Sequence, residues 1–208
     1  MGELVNVVKD RRSATKFHSE VTISDQELEE IFSLVKYAPS AFNLQHAHYV
    51  VVKDPERKNK VYEAANKQYK VKTASAAILV LGDLNAFENV RQMNEGMLHL
   101  GIINKQELDM TVESVTQFYE DRGDSFKRDE AIRNASLSAM LLMLIAKDKG
   151  WDTCPMIGFD PEQMRRELNI PERYVPVMLI ALGKEDVSGQ RLRGYRKPVG
   201  EFVTYNGF

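Results

Sequence analysis

Apolar and polar residues follow several distinct rhythms along the chain, and each rhythm predicts an element. Leu4, Val5, Val7 and Val8 predict a first helix that stops near the basic cluster Arg11-Arg12-Ser13. Ser24 and Glu27 form an S-x-x-E capping box, after which Leu28, Ile31, Phe32, Leu34 and Val35 supply one apolar helical face until Pro39. His48-Tyr49-Val50-Val51-Val52 is short and β-branched, hence a strand, and Asp54-Pro55 opens another helix as N-cap and first residue. Ala77 to Leu81 and Val177 to Ala181 are continuous apolar runs, as in strands buried on both faces. Between them lies a polar helical region over residues 88–130. Ala135 to Lys149, apolar nearly all round, predicts a central helix ended by Gly150. Pro155 to Asp160 reads as a loop, Asp160-Pro161 starts a short helix through Met164 and Leu168, and the tail from Val187 is irregular and basic. The order α-α-β-α-β-α-α-α-β-tail predicts an α+β protein with few strands under many helices. With no repeat, linker or compositional break, one domain over 1–208 is expected.

Composition narrows the chemistry. Hydrophobic residues make up 43% and charged residues 28%, which excludes disordered and low-complexity classes. The 28 Lys and Arg against 30 Asp and Glu leave a formal charge of -2, so no global positive field gathers nucleic acid or anionic lipid. Any anion must be held locally. The longest apolar stretch, Met140 to Ala146, is too short to span a bilayer, and the first residues lack a signal-peptide core. Gly2 lacks the Ser or Thr at position 6 that myristoylation needs, since Asn6 stands there. Cys154 is the single cysteine, so a reducing cytoplasm is the expected location, and with no histidine nearby the thiol reads as a small buried hydrophobe.

Several signatures are missing. No two glycines are spaced G-x-G, Gly96 and Gly101 have P-loop spacing but Ile102 replaces the lysine, and no G-x-S-x-G elbow occurs. His46 and His48 would share one face of a strand, but His18 and His99 add no ligand spacing, so no metal is expected. Arg191, Arg193, Arg196 and Lys197 make the tail basic without the aromatic interleaving of a nucleic-acid site, leaving a solvated terminus or phosphate capture.

Three segments offer groups suited to a planar, phosphorylated cofactor. Arg11-Arg12-Ser13 supplies charge-assisted donors and a hydroxyl for a phosphate, although a basic helix end is also an ordinary solvated feature. Pro39 to Gln45 ends a helix with small polar side chains able to meet the edge of a heterocycle, or is simply a turn. Pro155 to Asp160 carries Gly158, which would let backbone approach a flat ring, or is a plain connection.

Taken in order, these segments resemble the FMN-dependent nitroreductase family. The matching pieces are R-R-S-x-x-x-F (Arg11 to Phe17), P-S-x-x-N-x-Q (Pro39 to Gln45) running into His48-Tyr49, P-x-x-G-F-D (Pro155 to Asp160) and R-K-P (Arg196 to Pro198). The resemblance is nearest to small bacterial NAD(P)H nitroreductases that also carry N-L-Q-H, an N-A-S-L helix start and E-R-Y-V-P-V, here Asn43 to His46, Asn134 to Leu137 and Glu172 to Val177.

The resemblance implies a central, mostly antiparallel sheet covered by helices, a C-terminal tail extending onto a partner subunit, and a homodimer with flavin at the interface. It implies that Arg11, Arg12 and Ser13 grip the FMN phosphate and pyrimidine edge, helped by Arg196. Pro39, Ser40 and Asn43 would reach the flavin of the partner, Lys70 would lie near the isoalloxazine, and Ile157 and Gly158 would place backbone against the ring. Thr15 stands where many members have Lys or Arg as a further phosphate ligand, and Arg193 is placed to compensate from the tail. His46 replaces a frequent proline. Lys67 occupies a position often held by Asn, so the residue that meets the ring is one of Asn66, Lys67 and Gln68. The implied reaction passes hydride from NAD(P)H through flavin N5 to nitroaromatics, quinones or similar small electrophiles, by a ping-pong mechanism. Enone reduction, heterocycle oxidation and a non-catalytic flavin-binding or redox-sensing role are the alternatives. Residues 88–128, with Phe118, Tyr119 and Phe126, are either the pocket's lid or an exposed helix pair.

Overall fold

The computed structural model describes residues 3–190 and 192–208, so Gly2 and Arg191 lie outside the described residues. Helix α1 (Glu3–Asp10) runs up to Arg11 with none of its residues buried, and Leu4, Val5 and Val8 remain on the surface. Helix α2 (Asp25–Val35) begins at the capping box: Ser24 Oγ accepts the Glu27 N–H at 3.2 Å, and the Glu27 carboxylate accepts the Ser24 N–H at 2.9 Å. A 3-10 turn, Ala41–Asn43, leads into strand β1 (Ala47–Val52). Helices α3 (Pro55–Ala64), capped by Asp54, and α4 (Tyr69–Thr73) then precede strand β2 (Ala76–Asp83). Helices α5 (Val90–His99), α6 (Lys105–Glu120) and α7 (Gly123–Asp148) follow, then strand β3 (Asp152–Met156), helix α8 (Pro161–Leu168) and strand β4 (Tyr174–Gly183).

The strands form one sheet in the order β1-β2-β4-β3, with every neighbouring pair antiparallel. Strand β2 is buried along its full length, and its alternating side chains feed two separate cores. Ala77, Leu79 and Leu81 pack with Phe17, Val61, Ala64 and Met164 under α3, α4 and α8. Ala76, Ile78 and Val80 pack with Ile31, Ala135, Ala139 and Leu142 of α2 and α7. Helices therefore cover both faces, and the two edges of the sheet, β1 and β3, carry the segments singled out in the sequence.

Three elements differ from the sequence expectation. Strand β3 contains Pro155, where the sequence predicts a loop; as an edge strand it tolerates a residue without an N–H. The break between a polar helical region and a core helix is absent, because α7 runs unbroken for 26 residues and its composition changes where it passes from solvent into the core. Asn134 is accordingly deep inside α7, not at a helix start. The short helix α4 was not expected at all. Pro176 sits in β4 where the register with β2 shifts between Val80 and Leu81, a bulge that accommodates the missing donor.

Gly82 fixes how closely α7 lies on the sheet. A Cβ there would stand 2.7 Å from the Ala131 carbonyl oxygen, which is backbone and has no side-chain freedom with which to yield. Gly82→Ala is expected to destabilise the fold by about 1–3 kcal/mol, the usual cost of overpacking a dense core. A denaturant titration with an unchanged midpoint would contradict that packing.

Candidate functional site

The first group of site residues gathers at the β3 edge. Ser13 bridges Thr153 in parallel register, and the Ala14 N–H donates to the Thr153 carbonyl at 3.0 Å, so residues 11–15 are laid along β3. The tail returns to the same place: Arg193 Nη2 donates to the Arg11 carbonyl at 3.2 Å and also to that of Lys9. Burial, and the guanidiniums of Arg193 and Arg196 near it, hold Arg11 below the ordinary arginine value. Three cations gathered against their mutual repulsion are an arrangement that an anion would stabilise. Arg12 is half-buried beside them, whereas Ser13 and Thr15 are exposed. Lys16 turns away and pairs with Asp186 at 2.6 Å.

Beyond β3, Ile157 and Gly158 are exposed, and Ile157 is 81% accessible despite its apolar side chain. The turn between α3 and α4 meets them. Gln68 Nε2 and Asn66 Nδ2 both donate to the Gly158 carbonyl, at 2.8 and 3.1 Å. A Cβ on Gly158 would lie 3.4 Å from Gln68 Nε2, so side-chain volume added there would fill this cradle. Asn66 and Lys67 are left-handed, with φ of 53° and 55°, and Lys67 points to Glu63 at 3.5 Å. Of the three neighbours, the amides of Asn66 and Gln68 therefore reach the loop, and Lys67 does not. Lys70 Nζ lies 3.4 Å from Cys154 Sγ; the thiol is buried, as its sequence context predicts, and burial pushes its pKa up while Lys70 opposes the shift.

The second group, Pro39, Ser40 and Asn43, is on the approach to β1. With the sheet order β1-β2-β4-β3, it begins at the edge opposite β3, three strand spacings or ~14 Å away. Ser40 Oγ accepts the Gln45 N–H at 3.0 Å, and Asn134 Oδ1 of α7 accepts the Ala41 N–H at 2.8 Å. A cavity of about 220 Å³ opens behind this loop, lined by Phe32, Lys36, His46, Tyr49 and Ser138 among others. Phe42 projects the other way, with its ring 5.3 Å from Phe118 and 6.4 Å from Tyr119. Tyr119 in turn stacks on Phe87 at 5.3 Å, and Arg122 caps Phe118 at 3.6 Å. The aromatic residues of α6 and the start of α7 thus form a wall against the loop.

Four polar residues next to this loop form a unit that the sequence does not reveal: His46, Tyr119 and Asn134 stand in it as unrelated features, and Glu130 as none. His46, Glu130 and Asn134 are buried, as is Tyr119, whose hydroxyl lies 3.3 Å from His46 Nε2 and donates to Glu130 Oε2 at 3.5 Å. The E-x-x-x-N spacing at 130 and 134, one helical turn apart, is the local signal that links two of them. His48, which the sequence paired with His46, instead lies over Tyr174 with ring centroids 5.1 Å apart. Among the described residues no group of three or more His, Cys, Asp or Glu is placed to hold a metal, and no helix is long and apolar enough to cross a membrane.

A four-stranded antiparallel sheet with helices on both faces, an arginine-rich strip along one edge and a strained polar loop at the other define an oxidoreductase class: the chain belongs to the nitroreductase family, whose family model matches residues 8–184. Over 205 residues it is 56% identical to a Bacillus subtilis protein named "Putative NAD(P)H nitroreductase MhqN", covering 99% of this chain and 100% of that one. A protein from Exiguobacterium sibiricum named a "putative nitroreductase", solved in complex with FMN, superposes with a TM-score of 0.90 at 29% identity, covering 99% of this chain and 98% of the other. The CLA biosynthesis enone reductase of Lactiplantibacillus plantarum is 36% identical over 88% of this chain and 85% of its own.

Proposed function

We propose that the chain is an FMN-dependent NAD(P)H oxidoreductase, a single domain over 1–208 that works as a cytoplasmic homodimer on small electrophiles. The observation that carries this reading is the order of polar groups along β3: Arg11 to Ser13, joined by Arg193, lie against its start at Thr153, and the Gly158 cradle follows its end, an order that suits a phosphate and then a flat ring. Similarity to an FMN-bound nitroreductase supports the choice of cofactor. Arg11, Arg12, Ser13, Arg193 and Arg196 would hold the phosphate end, with Thr15 at its margin. Lys70, the 66–68 turn and the Ile157-Gly158 backbone would line the ring. Bound there, the flavin would supply two-electron, hydride-transfer chemistry between NAD(P)H and a nitroaromatic or quinone.

The chain's own residues bind, orient and shield. The exposed Ile157 gives the ring an apolar neighbour, and the amides of Asn66 and Gln68 stiffen the backbone that would lie against it. Pro39, Ser40 and Asn43 would complete the site from a second copy, since in one chain they approach the sheet at the opposite edge. Exposed Leu34 and Tyr37 near α2, with Leu137 and Met140 on α7, offer the apolar surface such a dimer would cover. The exposed tail, with Phe202, Tyr205 and Phe208, would extend onto the partner.

Denatured protein is expected to release FMN rather than FAD on chromatography. Because one space over the ring serves donor and acceptor in turn, double-reciprocal plots with NAD(P)H and a quinone should be parallel. Intersecting lines would require separate sites. Similarity to an enone reductase favours a second reading, conjugated enones as acceptors, which reoxidation of the NAD(P)H-bleached protein by an enone would support. Flavin that NAD(P)H fails to bleach would support the non-catalytic, redox-sensing role instead.

A further inference from the structure

The loop from Ser40 to His46 is held in a conformation its own residues disfavour. Phe42, Asn43 and Gln45 have φ of 50°, 55° and 53°, and of these only Asn adopts the left-handed region readily. Such strain persists where the surroundings over-determine the backbone, and it concentrates at working sites.

Buried polar groups on α6 and α7 grip both ends of this loop. At the first end, Asn134 Oδ1 accepts the Ala41 N–H at 2.8 Å. The amide is oriented by its own donors, since Nδ2 reaches the Glu130 carbonyl at 2.7 Å and Glu130 Oε2 at 3.3 Å. At the second end, the Tyr119 hydroxyl gives its single proton to Glu130 Oε2 at 3.5 Å, so its oxygen accepts the Nε2–H of His46 at 3.3 Å. Glu130 is 6% exposed and ion-paired with Arg133 on the same helix. A carboxylate is costly to bury, and this one joins the two anchors of the loop.

We propose that Asn134 and Glu130, acting with Tyr119 and His46, are positioning residues that present Ser40 and Asn43 to the flavin of the partner subunit. This inference rests on the flavin-binding dimer proposed above. The loop serves the ring and the arginines serve the phosphate, so the two sets of residues have different signatures. Loosening the loop weakens FMN and riboflavin alike, whereas removing an arginine affects FMN alone.

The test is a pair of flavin titrations on the full chain. In Asn134→Ala homodimers, FMN and riboflavin should both bind about 5- to 10-fold more weakly, the effect of one lost buried hydrogen bond. Mixed dimers of Asn134→Ala with Arg11→Ala subunits separate action in trans from action in cis. If Asn134 serves the neighbour's flavin, both defects fall on one site and the other regains wild-type affinity, giving a biphasic titration with half the sites tight. Absence of a tight half would overturn the proposal. So would wild-type affinity for both flavins in Asn134→Ala homodimers, even with a lowered melting temperature, and that result would leave the flavin reading intact. A wild-type protein that binds neither flavin would overturn both. If Asn134→Ala does not fold, Tyr119→Phe, which removes one hydroxyl, takes its place in both titrations and is judged by the same outcomes.

Discussion

Arg11→Ala is expected to weaken FMN binding by about 1.5–3 kcal/mol, or roughly 10- to 150-fold, while riboflavin binding barely changes. Charge-assisted bonds to phosphate lie at the strong end of protein hydrogen bonds, and Arg11 is the most sheltered of the three guanidiniums that converge at the β3 edge. Without an anion, those cations repel one another, so removing one should cost the flavin-free fold little and can even relieve it. Raising ionic strength should weaken FMN binding for the same reason. Thr15→Lys extends the test, because Thr15 is exposed on the strip beside Ser13 and a lysine there should tighten FMN and steepen its salt dependence. Isothermal titration with both flavins decides the matter: equal losses for FMN and riboflavin in Arg11→Ala would remove the phosphate from this cluster.

What the sequence made legible is what local physics controls. Helix α2 was readable because its capping box and apolar stripe are local signals, and β2 because both of its faces are buried and its side chains are therefore continuously apolar. Strand β3 was illegible for the converse reason: at an edge, Pro155 is tolerated and no alternation is enforced. Helix α7 reads as two segments because its composition changes midway, although no Pro or Gly interrupts residues 124–149.

The candidate site divides in the same way. Arg11 to Ser13, Pro39 to Asn43 and Ile157-Gly158 were found by motif, and the chain does bring Arg11 together with Arg193 and Arg196 across some 180 positions. The return of Arg193 to the carbonyl of Arg11 is a tertiary event that no periodicity encodes. In the sequence His46, Tyr119 and Asn134 stand only as separate features and Glu130 as none, because no one of them taken singly points to the others. Only the closing of α6 and α7 over the loop shows that they are one buried unit.

The second large effect is on acid stability, and it follows from the same unit. Burial pushes His46 down to about 4, with the charge of Asp83 opposing the shift only partly. The imidazole is 2% exposed, and its Nδ1 has no partner. In the neutral ring Nδ1 is a bare lone pair, which is tolerable; in the protonated ring it is a buried N–H with nothing to accept it. The unfolded chain, by contrast, protonates its histidine near the ordinary 6.5. Between those two values the unfolded state binds more protons than the folded one, so stability rises with pH across that window. His46 therefore contributes stability that is complete above about 6.5 and falls away as the pH drops through about 4, a loss of about 3 kcal/mol by pH 4. Denaturant midpoints measured from pH 7 to pH 4 should fall more steeply in the wild type than in His46→Gln, which keeps a side-chain N–H for Tyr119 but cannot titrate. Parallel curves for the two proteins would mean that His46 takes up its proton in the folded state at no cost, and that water or a shifted carboxylate reaches Nδ1.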